Sequence, residues 1–153
     1  METRRSVSGW SVFLEGAVIA KNSKMQDCVT LSSTEAEYVA ATSCVQDMLF
    51  AMRVMESMGL KVKKPMQLHM DNQGAIDLAN NWRSGGRTRH VDVRHHFLRE
   101  LKEMGIIEIV WVPTTGMRSD LFTKNLGREL FETHTAVFCG NDEYMKNKDE
   151  SNN

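Results

Sequence analysis

A chain of 153 residues is one domain's length, and a composition 41% apolar and 25% charged excludes fibrous and disordered classes. The formal net charge of −1 gives the molecule no overall field toward a partner, so any nucleic-acid affinity must come from a local patch. Three scattered cysteines (Cys28, Cys44 and Cys139) have neither metal nor disulfide spacing and suit a reducing compartment.

In chain order, Trp10 to Leu14 and Ala17 to Ala20 are β-prone runs split by Glu15-Gly16, a hairpin signal. Glu15 and Lys21 also interrupt the apolar run that follows Arg4-Arg5, which argues against an export signal, and no segment reaches transmembrane length. Ser33 to Met58 reads as a long helix stopped by Gly59. Pro65 introduces a strand, Met66 to Asp71, with Met66, Leu68 and Met70 on one face and Gln67, His69 and Asp71 on the other. A short helix, Gln73 to Ala79, leads into a polar loop, and a further helix runs from about Val91 to Met104, ending at Gly105. Ile106 to Val112 is a mostly apolar strand closed by Pro113, and two short helical stretches follow. The sequence divides into one domain, 1–139, and a polar tail, 140–153, expected to be disordered. Eleven methionines read as flexible core packing. A hairpin followed by interleaved helices and strands indicates an α/β fold, a mixed sheet flanked by helices.

The stretch LSSTEAEYVA, Leu31 to Ala40, poses the first functional question. Ser32 with Glu35 and Thr34 with Glu37 both have capping-box spacing, so either glutamate could simply serve the helix start. At about 100° per residue, Ala41, Cys44, Met48 and Met55 fall within roughly 40° of Glu37, which therefore continues the apolar stripe. Glu35 falls on the opposite side with Thr42, Gln46 and Arg53, as a solvent-side cap. A carboxylate on the apolar stripe needs a cation, a donor or a proton. A structural hydrogen bond and a functional role stand about level from this segment alone.

Asp71 ends a strand and is followed at once by a helix, the position at which sites form in open α/β sheets. Asp120 opens a helix after the loop from Pro113 to Arg118. Each is an ordinary helix cap in isolation. Three acids at neighbouring helix starts can also converge at one sheet edge, and clustered carboxylates suit a hard divalent cation.

Five stretches, RRSVSG (Arg4 to Gly9), LSSTEAEYVA, MDNQGAI (Met70 to Ile76), RTRHVDVRHHFLRE (Arg87 to Glu100) and SDLFTKNL (Ser119 to Leu126), occur in order and at suitable spacing. Together they resemble the ribonuclease H domain of copia-type retrotransposon Pol polyproteins, from about Arg4 to Phe131. The resemblance implies a ribonuclease H-like fold with a five-stranded mixed sheet. It implies cleavage of RNA in an RNA–DNA hybrid by two divalent ions, Mg²⁺ or Mn²⁺, held by four carboxylates. Glu37, Asp71 and Asp120 match three of the four. Asn72, Gln73, Arg87, Arg89, His90 and Arg94 match the family's motifs as nucleic-acid contacts. The implied partners are the hybrid, read by shape and 2′-hydroxyls, and the upstream reverse transcriptase part of Pol. The implied location is intracellular, in the cytoplasm within virus-like particles or in the nucleus, and not secreted.

This chain departs from the family in one serious respect. The family's first catalytic aspartate lies on a central first strand just upstream of the RRS-SG motif, whereas no aspartate here precedes Asp27. The first strand is therefore expected to be missing, with weak metal binding, impaired catalysis and self-association through unpaired strand edges. Thr114-Thr115-Gly116 stands where many cellular ribonucleases H carry a histidine, a trait shared by copia-type domains.

Between Trp82 and Lys102, six basic residues (Arg83, Arg87, Arg89, Arg94, Arg99 and Lys102) face only Asp92 and Glu100. That local excess is a phosphate-binding signature, although a solvated helix face explains most charge runs. His90, Asp92, His95 and His96 lack tetrahedral zinc spacing. The expected function is hybrid-directed ribonuclease H, impaired in this chain. The alternative is a catalytically inactive remnant or an adopted nucleic-acid-binding module.

Overall fold

A computed structural model describes residues 7–25, 33–81 and 89–140. β1 (Val7–Leu14) and β2 (Ala17–Met25) form an antiparallel ribbon turned by Glu15 and Gly16, both with positive φ. The ribbon is longer than the apolar runs alone predict, because polar residues up to Lys24 stay in register with β1. α1 (Ser33–Ser57) follows, then β3 (Met66–Met70), α2 (Gln73–Asn81), α3 (Arg89–Glu103) and β4 (Ile107–Trp111). Two 3-10 turns, Thr114–Gly116 and Arg118–Phe122, lead to α4 (Arg128–Phe138).

The helix stops act as the sequence indicates. At the end of α1, Gly59 adopts φ 78°, its N–H reaches the Glu56 carbonyl at 3.0 Å, and Leu60 N–H reaches Met55 at 3.0 Å. α3 ends in the same way, with Gly105 at φ 68° and the pairs Gly105–Lys102 and Ile106–Leu101. These are Schellman closures, in which a residue without a Cβ takes the left-handed position and the last carbonyls find donors.

β3 and β4 pair in parallel, Leu68 opposite Ile109, and the connection between them contains α2 and α3. Parallel neighbours need such a crossover. One core joins the elements: Trp10 and Val12 of β1, Val45 and Met48 of α1, Leu68 and Met70 of β3, Ile76, Leu98 and Ile107. α1 packs on both β1 and β3 and so bridges the two pairs of strands. It is buried on more than its apolar stripe: Tyr38 and Thr42 are also inside, with Thr42 Oγ1 donating to the Tyr38 carbonyl at 3.0 Å. The expectation that the Thr42 side faces solvent is corrected, because a helix covering two sheets has core on two sides.

The α/β class is as read, and the four described strands are compatible with the expectation that the central first strand of a five-stranded mixed sheet is missing. β1 pairs with β2 and β3 with β4, in two separate two-stranded sheets. A cavity of ≈ 1230 Å³ lies between them. Every residue from Val7 to Leu14 and from Met66 to Asp71 lines it. Successive side chains of a strand point to opposite faces, so a cavity touched by consecutive residues lies along a strand's edge rather than its face. Gly9, near the start of β1, packs on the turn that holds Asp120, and Asp71, just past the end of β3, is tied to the same turn through Lys124. β1 and β3 therefore run in opposite directions along the two sides of the cavity.

Candidate carboxylate site

Three elements each bring one acid to this cavity. Glu37 stands in the second turn of α1, Asp71 at the carboxyl end of β3, and Asp120 inside the turn Arg118–Phe122; all three line the cavity, as does Lys124. Glycines permit the close packing. A Cβ on Gly9 would lie 2.5 Å from Thr123 Cγ2, which seats β1 directly on the Asp120 turn. A Cβ on Gly74 would lie 3.2 Å from Thr34 Oγ1, which brings the start of α2 against the start of α1.

Asp71 and Asp120 are both about nine-tenths buried, with side-chain exposures of 11% and 10%. The strand alternation placed Asp71 with the exposed Gln67 and His69; the strand instead ends at Met70 and Asp71 turns inward. Lys124 Nζ donates to Asp120 Oδ2 at 2.8 Å and stands 3.7 Å from Asp71 Oδ2. Burial is the largest single influence on its ammonium and opposes the charge, but hydrogen bonding and attraction to Asp120, then the charges of Asp71 and Glu37, together outweigh it and raise its proton affinity.

Glu37 is half-buried, and its carboxyl is raised from the usual 4.5 to about 7. Burial is the main cause, followed by the charge of Asp71 and a hydrogen bond to it; Lys124 and Asn72 act in the opposite direction. A group poised near neutral pH can hold or release a proton there. His134 of α4 is buried, and burial lowers its proton affinity while the nearby Asp120 charge opposes that change.

The predicted contact residues fare unevenly. Asn72 is engaged internally: its Oδ1 accepts from Ala75 N–H at 3.1 Å, capping α2, and its side chain hydrogen-bonds Glu37. Gln73 donates to Asp77 at 3.0 Å on the exposed face of α2. Arg94 is half-buried on α3. Arg87 lies outside the described residues, as do the side chains of Arg89 and His90. Of the other basic residues, Arg99 pairs with Glu103 at 2.8 Å and Lys102 donates to Asn80. Glu35, expected to be fully solvent-facing, is half-buried.

Carboxylates are suitable ligands for Mg²⁺ or Mn²⁺. Their arrangement is not yet a cage. Among the described residues no three acids or histidines come together closely enough to share one ion, and Lys124 stands between Asp71 and Asp120. The donor chemistry fits a divalent ion; the geometry with Lys124 in place does not. Two residues central to this arrangement, Lys124 and His134, were not assigned from the sequence. Lys124 had a usable signal, its i+4 spacing from Asp120; His134 had none, since its approach to Asp120 depends on how α4 packs.

Over 132 residues the chain is 36% identical to the retrovirus-related Pol polyprotein from transposon TNT 1-94 of Nicotiana tabacum, covering 86% of this chain and 10% of that protein. It is 32% identical to the corresponding polyprotein from transposon RE1 of Arabidopsis thaliana, over 86% of this chain and 9% of the relative. The transposon RE2 polyprotein of Arabidopsis thaliana gives 31% over 83% of this chain and 9% of the relative. The chain belongs with one segment of the retrovirus-related transposon Pol polyproteins. This Pol segment spans about a tenth of the length of the curated relatives it matches. No family model and no solved structure matches it. No helix among its described residues is long and apolar enough to cross a membrane.

Proposed function

We propose that this Pol segment is a copia-type ribonuclease H domain of ribonuclease H-like fold, which acts on RNA–DNA hybrids and is impaired as a 153-residue chain. The observation that carries this reading is the meeting of Glu37, Asp71 and Asp120 at one cavity, each from a different motif and a different element. Glu37, Asp71 and Asp120 are the groups that would hold the family's divalent ions, whose chemistry there would be to activate water and to stabilise the leaving oxygen. The chain alone provides three of the four expected carboxylates, and two of those are engaged by Lys124, so ion binding is weak and cleavage slow. Hybrid binding rests on backbone and 2′-hydroxyl contacts from the basic segment around α3, including Arg94. The upstream reverse transcriptase part of a Pol polyprotein is the natural covalent partner, and the place of action is intracellular.

A binding module without catalysis is the second reading, favoured by the lysine between two of the acids. Labelled hybrid, RNA duplex and DNA duplex, each titrated with the chain in Mn²⁺ buffer, test the proposal. Preferential, salt-sensitive hybrid binding is expected, with slow RNA-strand cleavage lost in Asp71→Asn. Equal affinity for all three duplexes would refute a hybrid-directed role. Binding with no Asp71-dependent cleavage would leave the binding module as the function.

A further inference from the structure

We propose that Lys124 is the carboxylate site's own counter-ion: its ammonium occupies the position between Asp71 and Asp120 and competes there with divalent cations. The proposal rests on the reading of these acids as cation ligands and assigns a role to a residue outside the expected ligand set.

Asp71 and Asp120 belong to distant elements and are both nearly buried, so their like charges repel unless a cation lies between them. Lys124 provides that cation, 2.8 Å from one carboxylate and 3.7 Å from the other. Its backbone is anchored as well, since Lys124 N–H bonds the Asp120 carbonyl at 2.9 Å. The side chain is 48% exposed, so the ammonium enters from the solvent side and has room to withdraw.

An ammonium is a point charge with three donors and no capacity to bridge oxygens as ligands. A divalent ion needs direct bonds to carboxylate oxygens and carries twice the charge. The two cannot lie between the same oxygens at once. Binding a divalent ion therefore requires Lys124 to swing out, and part of the ion's attraction is spent displacing it. Without Lys124 the acids carry an uncompensated negative field and bind a divalent ion more tightly.

The test uses the full 153-residue chain, with Mn²⁺ as the probe, followed by the electron paramagnetic resonance of free Mn²⁺. Lys124→Met should bind Mn²⁺ roughly tenfold more tightly than the native protein, a modest change because the ammonium is half exposed. Lys124→Arg, which keeps the charge, should bind like the native protein. Mn²⁺ should also raise the melting temperature of Lys124→Met more than that of the native chain. A lysine with only a structural role would lower stability on removal without tightening Mn²⁺ binding. Circular dichroism checks that Lys124→Met is folded, and Lys124→Gln serves in its place if it is not.

Equal or weaker Mn²⁺ binding by the folded variant overturns the counter-ion role. If the native protein binds Mn²⁺ and Asp71→Asn abolishes that binding, the carboxylate reading survives the failure. If Mn²⁺ binding is absent or indifferent to Asp71→Asn in every variant, both readings fall together.

Discussion

Replacing Glu37 with glutamine should stabilise the protein at mildly alkaline pH and leave it unchanged in acid. Burial and the Asp71 carboxylate raise the Glu37 carboxyl from 4.5 to about 7, so the folded chain holds this proton more tightly than the unfolded chain. The stabilisation from that proton is fully present below pH 4.5 and is lost as pH rises through about 7. At about 1.4 kcal/mol per pH unit, the interval corresponds to about 3 kcal/mol. Glu37 is only half-buried, and solvent screening reduces this to about 1–2 kcal/mol. Glutamine is neutral at every pH and nearly isosteric with the protonated acid. Urea unfolding of the native protein and Glu37→Gln, in chelator-containing buffer from about pH 4 to about pH 8, measures the difference directly. The curves should coincide in acid and separate by about 1–2 kcal/mol at the alkaline end, with the glutamine variant more stable. A variant equal to or less stable than the native chain at about pH 8 would refute the account of a strained, ionised Glu37.

Three further outcomes follow from the packing and the charges. Leu98→Ala, at a fully buried position, should cost about 2–5 kcal/mol in urea unfolding. Gly9→Ala places a Cβ 2.5 Å from Thr123 Cγ2 and should cost about 1–3 kcal/mol, read by the same assay. The edges of β1 and β3 that pair with no strand among the described residues should make the chain associate as concentration rises, seen in sedimentation velocity; a monomer at every concentration would contradict it.

The order and type of the elements were legible because each carries its own periodicity and punctuation. Gly59 and Gly105 end their helices where the sequence places them, and β3 buries Leu68 and Met70 while exposing Gln67 and His69. Glu37 was also legible, since a single helical period places it in line with Ala41, Cys44 and Met48, which line the same cavity. Thr42 was misassigned because that period describes one buried face, whereas α1 covers two sheets. The face of Asp71 was misread because a strand's alternation ends with the strand, here at Met70. The role of Asn72 depends on a partner far away in sequence, Glu37, and no local pattern encodes it; for Lys124 the i+4 spacing marks Asp120, while its approach to Asp71 is long-range and unmarked. The separation of the described strands into two ribbons is compatible with the expectation that the central first strand is missing.

The most direct test of the central claim is cleavage of a labelled RNA–DNA hybrid in Mn²⁺. It compares this chain with one extended upstream by an apolar strand that carries an aspartate, with Asp71→Asn made in each. The account predicts strong RNA-strand cleavage by the extended chain, little by the 153-residue chain, and none after Asp71→Asn. A folded extended chain that leaves the hybrid intact, or cleavage that survives Asp71→Asn, would contradict it.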